Sequence, residues 1–276
     1  MMGDKALNVR KANSTAAAFP EEALRQVEGR ARVRAYERFN VQQRLQHIVL
    51  FISFTLLAVT GLPIKYAETA WASRVAALFG GMDAMLYIHL FGASMMIAVA
   101  VNHLLYLLFG VIVGEFSTAM FPTPKDFKDL FDNIRYQLGL TDQEPKFGRY
   151  SYKEKFDYWA VFWGMFIMVG SGLVLWFPSI AVKYIPLWAI EAARVAHSDE
   201  AILAVAAIFI WHMYNVHFRP RVFPMSLVWW TGTMTEEEME KEHPVELRQR
   251  KLQEGADGVP AYPERGSGEE SPQAKV

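Results

Sequence analysis

Residues 196–218 read AHSDEAILAVAAIFIWHMYNVHF, an apolar segment that carries His197, His212 and His217. Built as an α-helix, at about 100° and 1.5 Å per residue, it holds His197 and His212 roughly 22 Å apart along the axis and only about 60° apart around it. One face therefore presents two imidazoles at two depths. His217 follows His212 by five residues, about 140° around the helix, and belongs to a different face. Charges are absent from Ala201 to Phe218, and also from Leu45 to Ile64, Ala84 to Gly114 and Tyr158 to Val182, runs of 18, 20, 31 and 25 residues. A spanning helix needs about 20 apolar residues. The chain is therefore expected to be an all-α membrane protein, a four-transmembrane-helix bundle with spans at about 45–66, 84–113, 157–178 and 198–218.

The distribution of the remaining charge predicts the orientation. The segments at 65–83 and 183–200 hold two basic residues each, Lys65 with Arg74 and Lys183 with Arg194, whereas 115–157 holds Lys125, Lys128, Arg135, Lys146, Arg149, Lys153 and Lys155. By the positive-inside rule the basic loop faces the cytoplasm, which puts both termini there too. Residues 1–40 form an Arg-rich cytoplasmic arm without the apolar core of a cleavable signal. The domain proper is expected over 41–234. From 235 to 276 runs a charged tail, helical before Gly255 and then rich in Gly, Pro and Ser, as disordered ends are. Net charge is -1, which offers nothing to nucleic acid, and the absence of Cys excludes disulfides, Cys-held iron–sulfur clusters and covalent c-type haem within this chain. The membrane expected is the bacterial or archaeal cytoplasmic one, crossed several times.

Of the seven histidines, His243 lies among Glu and Lys in the tail and reads as a solvated residue; the other six lie in or beside spans. His89 and His103 are fourteen residues apart on the second span, about 21 Å along it and about 40° short of four turns, so they share a face. His89 and His197 both lie close to outer-side acids, Asp83 for one and Asp199 and Glu200 for the other. Similar depth pairs them. His47, His103 and His212 occupy the inner half, three candidates for one inner pair. A single intramembrane histidine also serves as a hydrogen bond between helices, but paired rings at two depths need a shared acceptor, because unpartnered polar groups in hydrocarbon are costly. Two haem b groups meet that need. A bis-imidazole iron has no open position, so such haems transfer electrons and do not activate ligands. Stacked roughly 20 Å apart, they would carry charge across a core about 30 Å thick. Gly61, Gly92, Gly164, Gly170 and Gly172 leave room for flat macrocycles or for close helix packing. The competing reading is a haem-free membrane anchor or transporter whose histidines bind protons or metal ions.

The segments RLQHIVLFISFTLLAVTGLP, KFDYWAVFWGMFIMVGSGLVLWFP and IWHMYNVHF, with the EHP after the last span, resemble the cytochrome b subunits of membrane-bound formate dehydrogenases and nickel–iron hydrogenases. The resemblance covers about residues 38–245. It implies that His89 and His197 hold an outer haem, that His47 and His212 hold an inner one, and that electrons pass between an outer-face redox partner and the quinone pool. The partner would be an iron–sulfur dehydrogenase, a hydrogenase or a multihaem cytochrome c. It also implies a quinone pocket by the inner haem, for which Tyr150, Ser151, Tyr152, Lys155, His217 and Arg219 are the candidate lining; an ordinary interfacial belt of aromatic and basic residues accounts for them equally. The sequence departs from the family in its fourth-span spacing, fifteen against fourteen, and in the extra His103 and His217. The pairs on spans two and four also resemble cytochrome b of quinol-oxidising respiratory complexes, where His103 would replace His47; the spare histidines leave room for a third haem. On either pairing the chain is the electron-transfer subunit of an oxidoreductase complex and not an enzyme alone.

Overall fold

A computed structural model describes residues 34–256. The Arg25–Arg32 part of the arm and the segment expected to be disordered after 256 lie outside the described residues. In chain order the elements are β1 (Ala35–Glu37), α1 (Val41–Lys65), α2 (Ala70–Leu78), α3 (Met82–Ile112), α4 (Pro124–Gln137), α5 (Tyr152–Trp176), α6 (Pro178–Tyr184) and α7 (Leu187–Ala206). After α7 come two π-helical stretches, Ala207–His212 and Tyr214–Phe218, then α8 (Val228–Thr231), β2 (Thr233–Thr235), α9 (Glu236–Glu242) and α10 (Pro244–Ala256). Among the described residues, four helices are long and apolar enough to cross a membrane: α1, α3, α5 and the continuous Leu187–Phe218. The protein is an all-α, multi-pass membrane protein.

Local chemistry sets where the helices start. Asn40 caps α1 and Ser151 caps α5, each reciprocated by the third residue in, Gln43 and Glu154. Thr123 and Asp126 do the same for α4, which begins on Pro124. Pro186 stands at the N-cap of α7, and the Ala-rich stretch after it carries the helix through Glu191 and Arg194. The fourth helix therefore begins at Leu187, well ahead of its uncharged run, and His197 sits ten residues inside it.

The spans pair as two antiparallel hairpins, α1 against α3 and α5 against α7. Their outer surfaces display Phe51, Leu105, Phe109, Trp163, Phe209 and Ile210, apolar side chains of the kind a bilayer covers. At the end where α1 and α5 begin sits a small cap. Its β1 and β2 pair antiparallel, Tyr36 opposite Met234, and bury Tyr36, Met234, Met239 and Leu247 together. Arg38 is buried at the heart of this cap and donates to Glu246, to the Arg149 carbonyl at 2.5 Å and to His243 Nε2 at 3.2 Å.

Candidate functional site

The ends of the spans away from the cap bring His89 of α3 against His197 of α7, ring centres 6.4 Å apart. Each ring is held in the same way by a different helix. Thr60 of α1 gives its hydroxyl proton to the Leu56 carbonyl at 2.6 Å, so toward His89 Nδ1, 2.9 Å away, its oxygen can only accept. Ser171 of α5 gives its proton to the Ile167 carbonyl at 2.6 Å and accepts from His197 Nδ1 at 3.1 Å. Both Nδ1 atoms therefore carry the proton, and both Nε2 lone pairs are left for a ligand between the rings. The next residue is glycine in both cases: a Cβ on Gly61 would stand 3.0 Å from His89 Cε1, and one on Gly172 would stand 3.1 Å from His197 Cε1. Gly92 instead abuts Leu56 and Leu57. The recurring hydroxyl–glycine pair, Thr60-Gly61 and Ser171-Gly172, is a sequence signal that spacing arguments about histidine alone overlook.

The inner pair is His47 of α1 with His212 of the first π stretch, ring centres 6.5 Å apart. His212 Nδ1 lies 3.1 Å from the Asp157 carboxylate of α5. His47 Nδ1 is buried without a hydrogen-bond partner, and Trp229 packs 5.9 Å from its ring. The fifteen-residue interval from His197 to His212 owes its alignment to the π stretch. A turn closed i to i+5 takes one residue more than an α turn, so the odd residue is absorbed and both rings reach partners on α3 and α1.

His103 is not brought to His212. Its Nδ1–H donates to Gln46 Oε1 at 3.0 Å, and its Nε2 accepts from the Tyr158 hydroxyl at 3.0 Å, so both nitrogens are engaged. Gln46 and Gln42 in turn donate to Asn102 at 2.7 and 2.8 Å. His217 lies against Phe218, ring centres 6.0 Å apart, and belongs to neither pair. Glu200, read in sequence as an outer-end acid, points instead at the middle of α5: a Cβ on Gly164 would be 2.9 Å from its Oε1. Its neighbour Asp199 does stay at the outer end, 2.9 Å from Lys65.

Several candidate quinone-lining residues are committed to other partners. Lys155 is buried and holds both oxygens of Asp126 at 2.9 and 2.8 Å; burial alone would raise the Asp126 carboxyl, but the bonds from Lys155 and Thr123 hold it below its usual range. Tyr152 accepts from Asn133 at 2.8 Å, and Arg219 donates to Glu242 at 2.6 Å. Lys155 and Tyr150 border a cavity of about 200 Å³ together with Lys125, Asp126, Asp129 and Arg149, while Tyr152, His217 and Arg219 do not. Six charged side chains crowd that cavity, more than the few polar groups a quinone slot uses. His243 is the clearest correction. It is buried, not solvated: its Nδ1–H donates to the Gly148 carbonyl at 2.7 Å, and Nε2 accepts from Arg38. Burial first, and the Arg38 charge after it, push its pKa below the ordinary histidine value.

A metal ion shared between two imidazoles, at about 2 Å from each nitrogen, would hold their ring centres roughly 6 Å apart. Both pairs have that separation, and the outer one has the tautomers that ligation requires. Sequence comparison points the same way. The nitrate-inducible formate dehydrogenase cytochrome b556(Fdn) subunit of Escherichia coli strain K12 is 24% identical over 172 residues, 62% of this chain and 72% of the relative. The corresponding Shigella flexneri subunit matches to the same extent. The cytochrome b556(fdo) subunit of E. coli K12 is 23% identical over 202 residues, 72% of this chain and 81% of the relative. The chain is similar to formate dehydrogenase cytochrome b subunits over most of its length. No protein-family model matches it. This similarity supports a membrane b-type cytochrome of respiratory electron transfer.

Proposed function

We propose that the chain binds two haem b groups, an outer one between His89 and His197 and an inner one between His47 and His212, and passes electrons between an outer-face redox subunit and the membrane quinone pool. The observation that carries this reading is the pair of ring separations, 6.4 and 6.5 Å, at two depths of one bundle. When bound, the haems supply one-electron redox steps without an open coordination site. The protein's own work is to fix the rings. Thr60 and Ser171 keep the Nδ1 protons of His89 and His197, and Asp157 holds that of His212. The names of the relatives favour a formate dehydrogenase type of partner, and the positive-inside asymmetry favours the cap on the cytoplasmic side of a bacterial or archaeal inner membrane. Quinone reduction there would draw protons from the cytoplasm.

The test is a haem count with reduced-minus-oxidised spectra on purified protein. Wild type should show two low-spin haem b per chain. His47→Ala and His212→Ala should each remove one and the same component, His89→Ala and His197→Ala the other, and His103→Ala neither. Absence of reducible b-type bands, or loss of a haem with His103, overturns the assignment.

A further inference from the structure

Helix α4 inverts the usual order of an amphipathic helix on a protein surface. Its polar face is turned inward: Asp126 bonds Lys155, Asn133 bonds Tyr152, and Asp129 is buried with them. Its apolar residues face out, Phe127 at 65%, Phe131 at 64%, Ile134 at 46% and Leu138 at 68% exposure. At about 100° per residue these four fall within a stripe roughly 60° wide, centred about 140° from the polar face. In water such a stripe would turn inward. Here it cannot turn, because the ionic contacts to α5 hold the opposite side.

The direction of α4 follows from the same contacts. Asp126 and Asn133 are seven residues apart, roughly 10 Å along α4, yet they meet α5 at Lys155 and Tyr152, within its first turn. α4 therefore crosses the end of a spanning helix instead of continuing along it. The chain reaches it from the end of α3 through Phe116 and Phe121, both exposed, so apolar side chains lead from the spans to the stripe. Arg135 stands beside the stripe, about 80° from Phe127, where a long cationic side chain can rise to a phosphate while its stem stays in the apolar layer.

We propose that α4 lies in the membrane interface at the capped end of the bundle, with Phe127, Phe131, Ile134 and Leu138 sunk among lipid acyl chains and its polar face clamping the first turn of α5. The occupant of the stripe is lipid, and the inference stands apart from the haem assignment, since it needs only the spanning fold. It gives α4 a role: α5 carries Asp157 and Tyr158, which touch His212 and His103, and the lipid-seated helix holds that turn in place.

The chain has no cysteine, so single-cysteine variants label at one position only. Full-length protein with a nitroxide at residue 127, 131, 134 or 138 is reconstituted in phosphatidylethanolamine and phosphatidylglycerol vesicles, with labels at Lys128 and Asp132 as references. Stripe labels should collide with oxygen severalfold more than with a water-soluble nickel chelate, and the reference labels should show the reverse. Stripe labels that meet the nickel chelate freely overturn the proposal by placing the stripe in water. Stripe labels immobilised and shielded from both reagents also overturn it, in favour of a protein partner or a second copy. The far-ultraviolet circular dichroism and the monodisperse elution of each variant in detergent report whether the bundle has folded.

Discussion

Replacing Thr60 by Val keeps shape and volume while removing the oxygen that receives His89 Nδ1–H at 2.9 Å. His89 is half-buried between α1, α3 and α7, with Gly61 directly against its ring, so neither water nor a shifted side chain has an easy route to replace that acceptor. Leaving a donor unpaired in such a place costs about 1–3 kcal/mol. That corresponds to roughly 5- to 150-fold in the affinity for whatever His89 ligates, in the same range as the 10–100-fold typical of a lost orienting partner at metal sites. The loss should fall on one haem only, since Thr60 touches neither His47 nor His212. The assay is haem titration of the apoprotein in detergent, followed by a redox titration to count components. Thr60→Ser, which keeps the hydroxyl, should restore affinity to within about twofold. A Thr60→Val protein that retains both haems at wild-type affinity, or a Thr60→Ser protein as weak as the valine variant, would refute the claim that the hydroxyl sets the tautomer.

Three further outcomes follow from other residues. Asp157→Asn removes a full negative charge 3.1 Å from His212 Nδ1, making the imidazole a weaker donor; the midpoint potential of one haem should rise while the other stays put, and an unchanged pair of potentials counts against the contact. Inserting one alanine between Val205 and Ala206 turns His212 by about 100° relative to His197 and should remove one haem, whereas deleting Ile208 lets the π stretch close as α-helix at fourteen-residue spacing and should keep both. The cap should weaken in acid: with the His243 pKa depressed in the fold, the unfolded chain binds more protons below its ordinary value near 6.5, so stability is full above that pH and is lost as pH falls through the folded value. Proteolysis of α9–α10 between pH 8 and pH 5 measures this, and His243→Gln should flatten the dependence.

The four spans were legible because hydrocarbon tolerates so few charges that their absence marks a crossing. His89 with His197 was legible for a related reason: each lies near an acid that lipid would reject, which fixes its depth. Geometry that depends on departures from the ideal helix was not legible. Counting at a fixed angle left His212 displaced from His197, and only the π turns at Ala207–His212 bring it to His47. His243 misled for a different reason. Its neighbours in sequence are charged, but Glu242 and Glu246 are drawn in by Arg219 and Arg38, while Arg38 and Gly148, more than ninety residues away, close over the ring. Long-range pairing of this kind leaves no local trace. Thr60 and Ser171 were visible as letters, yet a hydroxyl in a span most often bonds its own helix, and theirs do so as well as serving the rings.

The way each ring is held divides the bundle into two units. The α1–α3 hairpin contains His47 and His89 together with Thr60, which aims His89; the α5–α7 hairpin contains His197 and His212 together with Ser171 and Asp157, which aim them. No orienting bond crosses from one hairpin to the other at either pair. Each hairpin can thus enter the membrane and set its own rings without waiting for its neighbour. On the proposed ligation, both haems would add a cofactor link to those that already join the halves, the β1–β2 pairing, the Lys65–Asp199 ion pair and the Tyr158–His103 hydrogen bond, so that cofactor delivery tightens tertiary assembly.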